Sequence, residues 1–354
     1  MNTPIARTHQ KKLDKRSVVL PVMLLLLLLL LIMVLATALG AVYVPFGQVV
    51  KVVLKKAGIL ASANTTANQE SIIFLIRLPR VIVASLAGAA LATCGSVMQG
   101  MFRNPMADPG ILGVSSGAGL GAVTAIALGI SAQSIYFLPL FASVGAITAV
   151  GIIYILSVRG GKIPTLTLIL SGIAVSTFIG AITQLVLVNS NDYEVNTFIF
   201  WTMGGLNGMM WEQVKLITLP VILLILVLTT FARDLNILLL GEEEAQSLGL
   251  DPSKTRKLLL LLTSLTTAVA ISVCGPVSFI GLIVPHILRL IVGPDHRILI
   301  PASAVGGAIF LVCCDIVARI SPSGEIGVGI VTSLLGAPYF LYLLIKARKE
   351  GAVI

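Results

Sequence analysis

The chain has 354 residues, 57% of them hydrophobic and only 11% charged, with a mean hydropathy of +1.03. A soluble domain averages about a quarter charged residues, and a single core could not hide this much apolar surface. Disorder, a collagen repeat and a disulfide scaffold are excluded by the same figures, and a polytopic membrane protein remains.

Basic residues outnumber acidic ones by 24 to 15, a formal net charge of +9. Most of that charge falls in short segments between apolar runs, the orientation signal of a membrane protein. Residues 1–17 form a basic leader with Lys11, Lys12, Lys15 and Arg16. The uncharged run that follows, 18–50, is too long for a cleavable signal, whose apolar core is about 7–15 residues, and reads as a retained first helix.

Apolar stretches near the roughly 20 residues of a spanning helix then recur. They are 18–44, 71–99, 109–130, 135–157, 164–188, 213–231, 257–274, 279–291, 298–318 and 326–345. The run 258–288 contains Pro276 and Pro285, so one kinked helix and two short crossings both fit it. With the N-terminus inside and ten crossings, Lys51, Lys55, Lys56, Arg77, Arg80, Lys215 and Arg319 fall outside and every other Lys and Arg inside. That agrees with the positive-inside rule, whereas nine crossings would put Lys346, Arg348 and Lys349 outside. Ten spans and two cytoplasmic termini follow.

Two segments interrupt this pattern. Residues 189–211 are too polar to span but hold Tyr193, Phe198, Phe200, Trp201 and Trp211, and predict a short helix at the outer membrane face. Residues 233–257 are the longest polar stretch on the inside and predict short amphipathic helices. Gly113, Gly117 and Gly121 repeat a small residue every four positions, a pattern of close helix packing in lipid.

The chemistry of an enzyme is missing. The three histidines, His9, His286 and His296, form no metal motif, the four cysteines lie singly or adjacent in apolar runs, and no nucleophile elbow occurs. Gly160-Gly161-Lys162-Ile163 lacks the spacing and the Ser or Thr of a phosphate loop, so this chain does not hydrolyse ATP. The spans are nearly free of charge, and Asp315 and Arg319, four apart, can pair with each other. A conduit without its own energy source results, and 233–257 is the candidate grip for an external ATPase. An ion-coupled carrier would need no such grip.

Five blocks stand in order along the chain: Arg77-Leu78-Pro79-Arg80; the run from Arg103-Asn104-Pro105-Met106-Ala107-Asp108-Pro109 to Val114; residues 241–249; the run from Gly275-Pro276-Val277-Ser278-Phe279 to Pro285-His286-Ile287-Leu288-Arg289; and Asp315-Ile316-Val317-Ala318-Arg319. Together they resemble the permease subunits of type II ABC importers, the iron-siderophore, heme and cobalamin (FecCD-like) class. The resemblance implies an all-α fold of about ten transmembrane helices, with a short outer-face helix and cytoplasmic coupling helices. It also implies that the break near 275–278 separates two helices. A second copy of the chain, two ATP-binding subunits and one extracytoplasmic substrate-binding protein are the implied partners, within the lipid bilayer of the cytoplasmic membrane and with no nucleic acid. No cofactor is implied in this chain, because ATP binds the partner ATPase.

The resemblance also assigns residues. Arg77, Arg80 and Arg319 are expected to dock the binding protein, arginine forks being suited to bidentate pairing with glutamates; without it they read as anchors near the headgroups. Gly241, Glu242, Glu243, Glu244, Ala245, Leu248, Gly249 and Leu250 are expected to couple to the ATPase, Ala245 and Leu248 as a small apolar knob and Leu250 over its rim. Thr165 and Leu166 fall at the cytoplasmic gate. The domain plan is a leader at 1–17, one permease domain at 18–346 with its coupling segment at 234–254, and a tail at 347–354. The expected cargo is a ferric siderophore, with heme or a corrinoid as the alternative.

Overall fold

The computed structural model describes residues 15–40, 44–56, 58–59, 65–158, 164–321 and 324–349. Among them the regular structure is helical throughout, with no strand. Most of the leader, the end of the tail and the Gly160–Lys162 loop lie outside the described residues.

Among the described residues, eight helices are long and apolar enough to cross a membrane, and two shorter apolar ones, Val114–Ala127 and Ile280–Val292, complete the ten expected segments. The chain opens with α1 (Lys15–Ala38) and a short α2 (Phe46–Lys56). Next, α3 (Ala67–Ser71) passes through a π-helical turn, Ile72–Arg77, into α4 (Leu78–Phe102). A 3-10 turn at Pro109–Leu112 leads to α5 (Val114–Ala127), followed by α6 (Phe137–Ser157) and α7 (Thr165–Val188). The expected interfacial helix is α8 (Asp192–Thr202), closed by a capping box between Asn191 and Glu194. After α9 (Trp211–Thr230), the polar segment folds into α10 (Ala232–Leu238) and α11 (Glu242–Ser247). The bundle ends with α12 (Pro252–Cys274), α13 (Ile280–Val292), α14 (His296–Arg319) and α15 (Val328–Lys349).

The ambiguous run 258–288 resolves into α12 and α13. Gly275, at φ +69°, ends α12, and a side chain there would strike the Trp201 carbonyl at 2.4 Å. Phe279 starts α13 in the left-handed region at φ +68°, unusual for a large residue. Its ring lies where a Cβ on Gly336 of α15 would be, 2.3 Å away, so α15 offers the notch the ring needs.

The axis of the molecule is α4, buried along nearly its whole length. Lipid tails are as apolar as leucine, so helices in a membrane gain from close van der Waals approach more than from burial. Gly95 lies against the Gly281 backbone of α13, where an added Cβ would sit 1.8 Å from a carbonyl oxygen, and Gly88 meets Gly307 of α14 in the same way. Of the glycine series noted above, Gly117 and Gly121 press on the α6 backbone.

Prolines within the spans free carbonyls that lipid cannot solvate. Pro285 cannot donate to Gly281, and Gln99 of α4 reaches across to do so, its Nε2 donating to the Gly281 and Leu282 carbonyls at 3.1 Å each.

Candidate functional site

The two ends of α4 carry the residues of interest. At its start, Arg80 Nε donates to Asp315 Oδ1 at 2.9 Å, and Nη2 lies 2.8 Å from the same oxygen. Arg80 Nη1 donates to Glu325 Oε1 at 3.0 Å. Arg319 closes on the other oxygen of Asp315 at 3.1 Å, so the i,i+4 pair anticipated on α14 forms and gains a third member from α4. Asp315 is fully buried. Arg77 Nη1 donates to the Thr37 and Ala38 carbonyls at 2.9 and 2.8 Å, capping the orphan carbonyls at the end of α1. The wide π turn before Pro79 brings Arg77 to this place, and Trp211 Nε1 satisfies the Phe74 carbonyl within it at 2.9 Å.

The structure thus brings the three predicted docking arginines together around one cavity of about 650 Å³. They do not stand free, however: Arg77 is 6% and Arg80 7% exposed. A guanidinium in the rim of an apolar bundle needs acceptors, and this chain supplies its own. Beside the cluster lies a larger cavity of about 890 Å³, bounded by Tyr193, Phe200 and Trp201 of α8 and shared with Arg80 and Glu325. The short helix expected at the outer face therefore sits at the arginine end.

The far end of α4 is locked to the polar segment. Arg103 caps α4 in the left-handed conformation, φ 50°, and its Nε donates to the Leu238 carbonyl of α10 at 2.9 Å. Asn104 Oδ1 accepts from the Met106 amide, and Asp108 Oδ1 from the Gly110 amide. This explains the Arg103–Pro109 block as a built turn. Burial pushes the Asp108 carboxyl above its ordinary value, and the Gly110 amide opposes that shift.

In α11 the expected knob is divided. Ala245 is fully buried, in the same apolar cluster as Leu235, Leu238 and Leu259, and only Leu248 faces out, 61% exposed. The tight turn after α11, where the Leu250 amide donates to the Ala245 carbonyl at 3.0 Å, folds the small face inward. Gly241 (φ +142°) and Gly249 (φ +81°) flank α11, and Leu250 is half-buried against the same cluster. Glu242 pairs with Arg256 of α12, while Glu243 and Glu244 are exposed. After the turn, Asp251 caps α12; its bonds to the Lys254 amide and side chain hold its carboxyl below the usual range. At the expected gate position, Thr165 begins α7 and Leu166 is 69% exposed.

Sequence reasoning missed a clamp at this end. Asn236 of α10 donates from Nδ2 to Asp295 Oδ1 at 2.6 Å, and its Oδ1 accepts from the His296 amide at 3.0 Å and lies 2.8 Å from His296 Nδ1. His296, almost fully buried, abuts Gly100 of α4. A polar residue three positions past Arg233 and a histidine opening α14 were the only signals for it.

Among the described residues no His, Cys, Asp and Glu gather as a metal site. The arrangement fits a conduit: a charged cluster at one end, a polar grip at the other, and apolar helices between them.

Comparison with known proteins agrees. The family model of the FecCD transport family matches residues 26–346. The cobalamin import system permease protein BtuC of Halobacterium salinarum is 50% identical over 274 residues, covering 77% of this chain and 73% of its own. The hemin transport system permease protein HmuU of Yersinia pestis is 40% identical, covering 78% and 83%. A solved metal-chelate type ABC transporter in an inward-facing conformation superposes with a TM-score of 0.80 at 31% identity, covering 92% of this chain and 98% of that one. The chain belongs to the FecCD transport family, the permeases of type II ABC importers.

Proposed function

We propose that this permease carries a corrinoid across the cell membrane, driven by a separate ATPase and supplied by a binding protein. The observation that carries the cargo is the 50% identity to a cobalamin import permease across three quarters of each chain. The hemin permease relative, at 40%, supports heme as the second reading. The ferric siderophore expected from the sequence stands beside these two macrocycles as a third reading, the family match by itself favouring none of them.

The working unit in this reading is two copies of the chain with two ATP-binding subunits and one binding protein. Residues 18–346 form the permease domain and both flanks face the cytoplasm. ATP is bound by the partner, and this chain holds no cofactor. The binding protein's carboxylates enter the cavity beside Arg77, Arg80 and Arg319. The ATPase meets the exposed Glu243, Glu244 and Leu248 of α11, and the Thr165–Leu166 end of α7 serves as the gate. A lining of apolar helices gives a bulky cargo nowhere to bind tightly, which suits release.

Uptake into proteoliposomes holding the permease, its ATPase and its binding protein tests this. Labelled cobalamin, hemin and a ferric siderophore are offered in parallel, with ATP or a non-hydrolysable analogue inside. Cobalamin accumulation with ATP alone is expected. Siderophore uptake without cobalamin uptake overturns the cargo, and flux independent of hydrolysis overturns the coupling.

A further inference from the structure

Near the α11 end, an apolar groove of about 490 Å³ runs between α6 and α12. Gly151 and Tyr154 form one wall, Leu258 and Leu261 the other, and Lys254 and Lys257 stand at its mouth. Both leucines are substantially exposed, 42% and 52%, so the groove is open at the surface of the bundle. From Lys257 to Leu265 the wall runs about 12 Å down α12 at 1.5 Å per residue, from the charged rim into the apolar span.

The charges at the mouth are unbalanced. Lys254 shares Asp251 at 3.2 Å, but Lys257, half-buried, has no hydrogen bond or ion pair among the described residues. No carboxylate lines the groove. Two lysines above an apolar slot between spanning helices complement an anionic headgroup with a hydrocarbon tail below it. A loop of protein would bring unpaired backbone groups into hydrocarbon, which an acyl chain does not.

We infer that the α6–α12 groove is a binding site for an anionic phospholipid, its acyl chain against Leu258 and Leu261 and its phosphate between Lys254 and Lys257. Nothing in this depends on the cargo or on which side of the membrane α11 faces. Bound there, the lipid would brace α12 directly beyond the α11 turn.

The test is native mass spectrometry of the full-length chain in mild detergent, titrated with phosphatidylglycerol or phosphatidylcholine. Two variants separate charge from space. Lys254→Gln with Lys257→Gln keeps the groove, whereas Gly151→Leu fills it, since an added Cβ there meets nothing within 4 Å. Wild type is expected to prefer phosphatidylglycerol, and the double lysine variant to lose about fivefold of that preference per lysine. Gly151→Leu is expected to weaken both lipids alike. Unfolding in lipid-free detergent, where both variants should match wild type, separates a folding defect from lost binding. Equal binding of the two lipids by wild type, or a preference that survives loss of both lysines, overturns the proposal. So does Gly151→Leu that breaks up a dimer while lipid binding stays constant, which would give the groove to a second copy.

Discussion

Asp315 shows how a membrane-embedded charge is held. It is fully buried between Arg80 and Arg319, on helices brought together by the glycine contacts of α4 and α14. Removing one partner from a buried ion cluster leaves an uncompensated charge, which costs about 3–5 kcal/mol. Asp315→Asn is therefore expected to destabilise the solubilised permease by that order, read by thermal or denaturant unfolding in detergent; a variant as stable as wild type would show the cluster to be hydrated. Glu325, exposed for 40% of its side chain, is the replaceable member. If a binding-protein carboxylate takes its place at Arg80, Glu325→Gln should tighten docking two- to fivefold, the scale of an exposed ion pair. Unchanged or weaker docking, by titration of the purified binding protein, would count against exchange at Arg80.

Among the elements, the spans were legible in the sequence because bilayer thickness imposes a length and hydropathy that survive any packing. The break at Gly275 was not legible from hydropathy, since Pro276 and Pro285 fit either a kink or a stop; the family resemblance supplied it, and physically it rests on Trp201 and Gly336 far along the chain. The three arginines expected to dock a partner were named by the family resemblance, but their burial was not foreseen, because it depends on Glu325 and on the carbonyls of α1. Ala245 fails as an outward knob for the same reason: its side is set by the turn at Leu250. Gln99 illustrates the polar residue that only a structure explains, because its partners are the Gly281 carbonyl freed by Pro285 and the Leu282 carbonyl beside it, on another helix. Gln99→Leu should leave them unsatisfied at about 1–3 kcal/mol in the same unfolding assay. No loss of stability would show that α13 re-pairs them locally.

At the scale of the whole molecule, α14 joins the arginine cluster to the Asn236–His296 clamp. It is 24 residues long, about 36 Å at helical rise. Its first turn is clamped to α10 through Asn236 and His296, and its last turn carries Asp315 and Arg319. Between these points it lies on α4 with backbones in contact at Gly88 and Gly307, which ties the two helices together. A displacement of α10 and α11 by an ATPase would reach the arginine cluster through α14 and the α4 backbone packed on it. The prediction is energetic coupling between sites too far apart to touch. Asn236→Ala loosens the clamp and Glu325→Gln loosens the cluster. Distant independent substitutions add to within about 0.3–0.5 kcal/mol, whereas coupled ones deviate by about 0.5–3 kcal/mol. ATP-driven uptake rates of the two single variants and the double variant, converted to free energies, should therefore fail to add, with the second substitution costing less once the first is present. Additive losses would mean that each end acts alone and that another helix carries the signal.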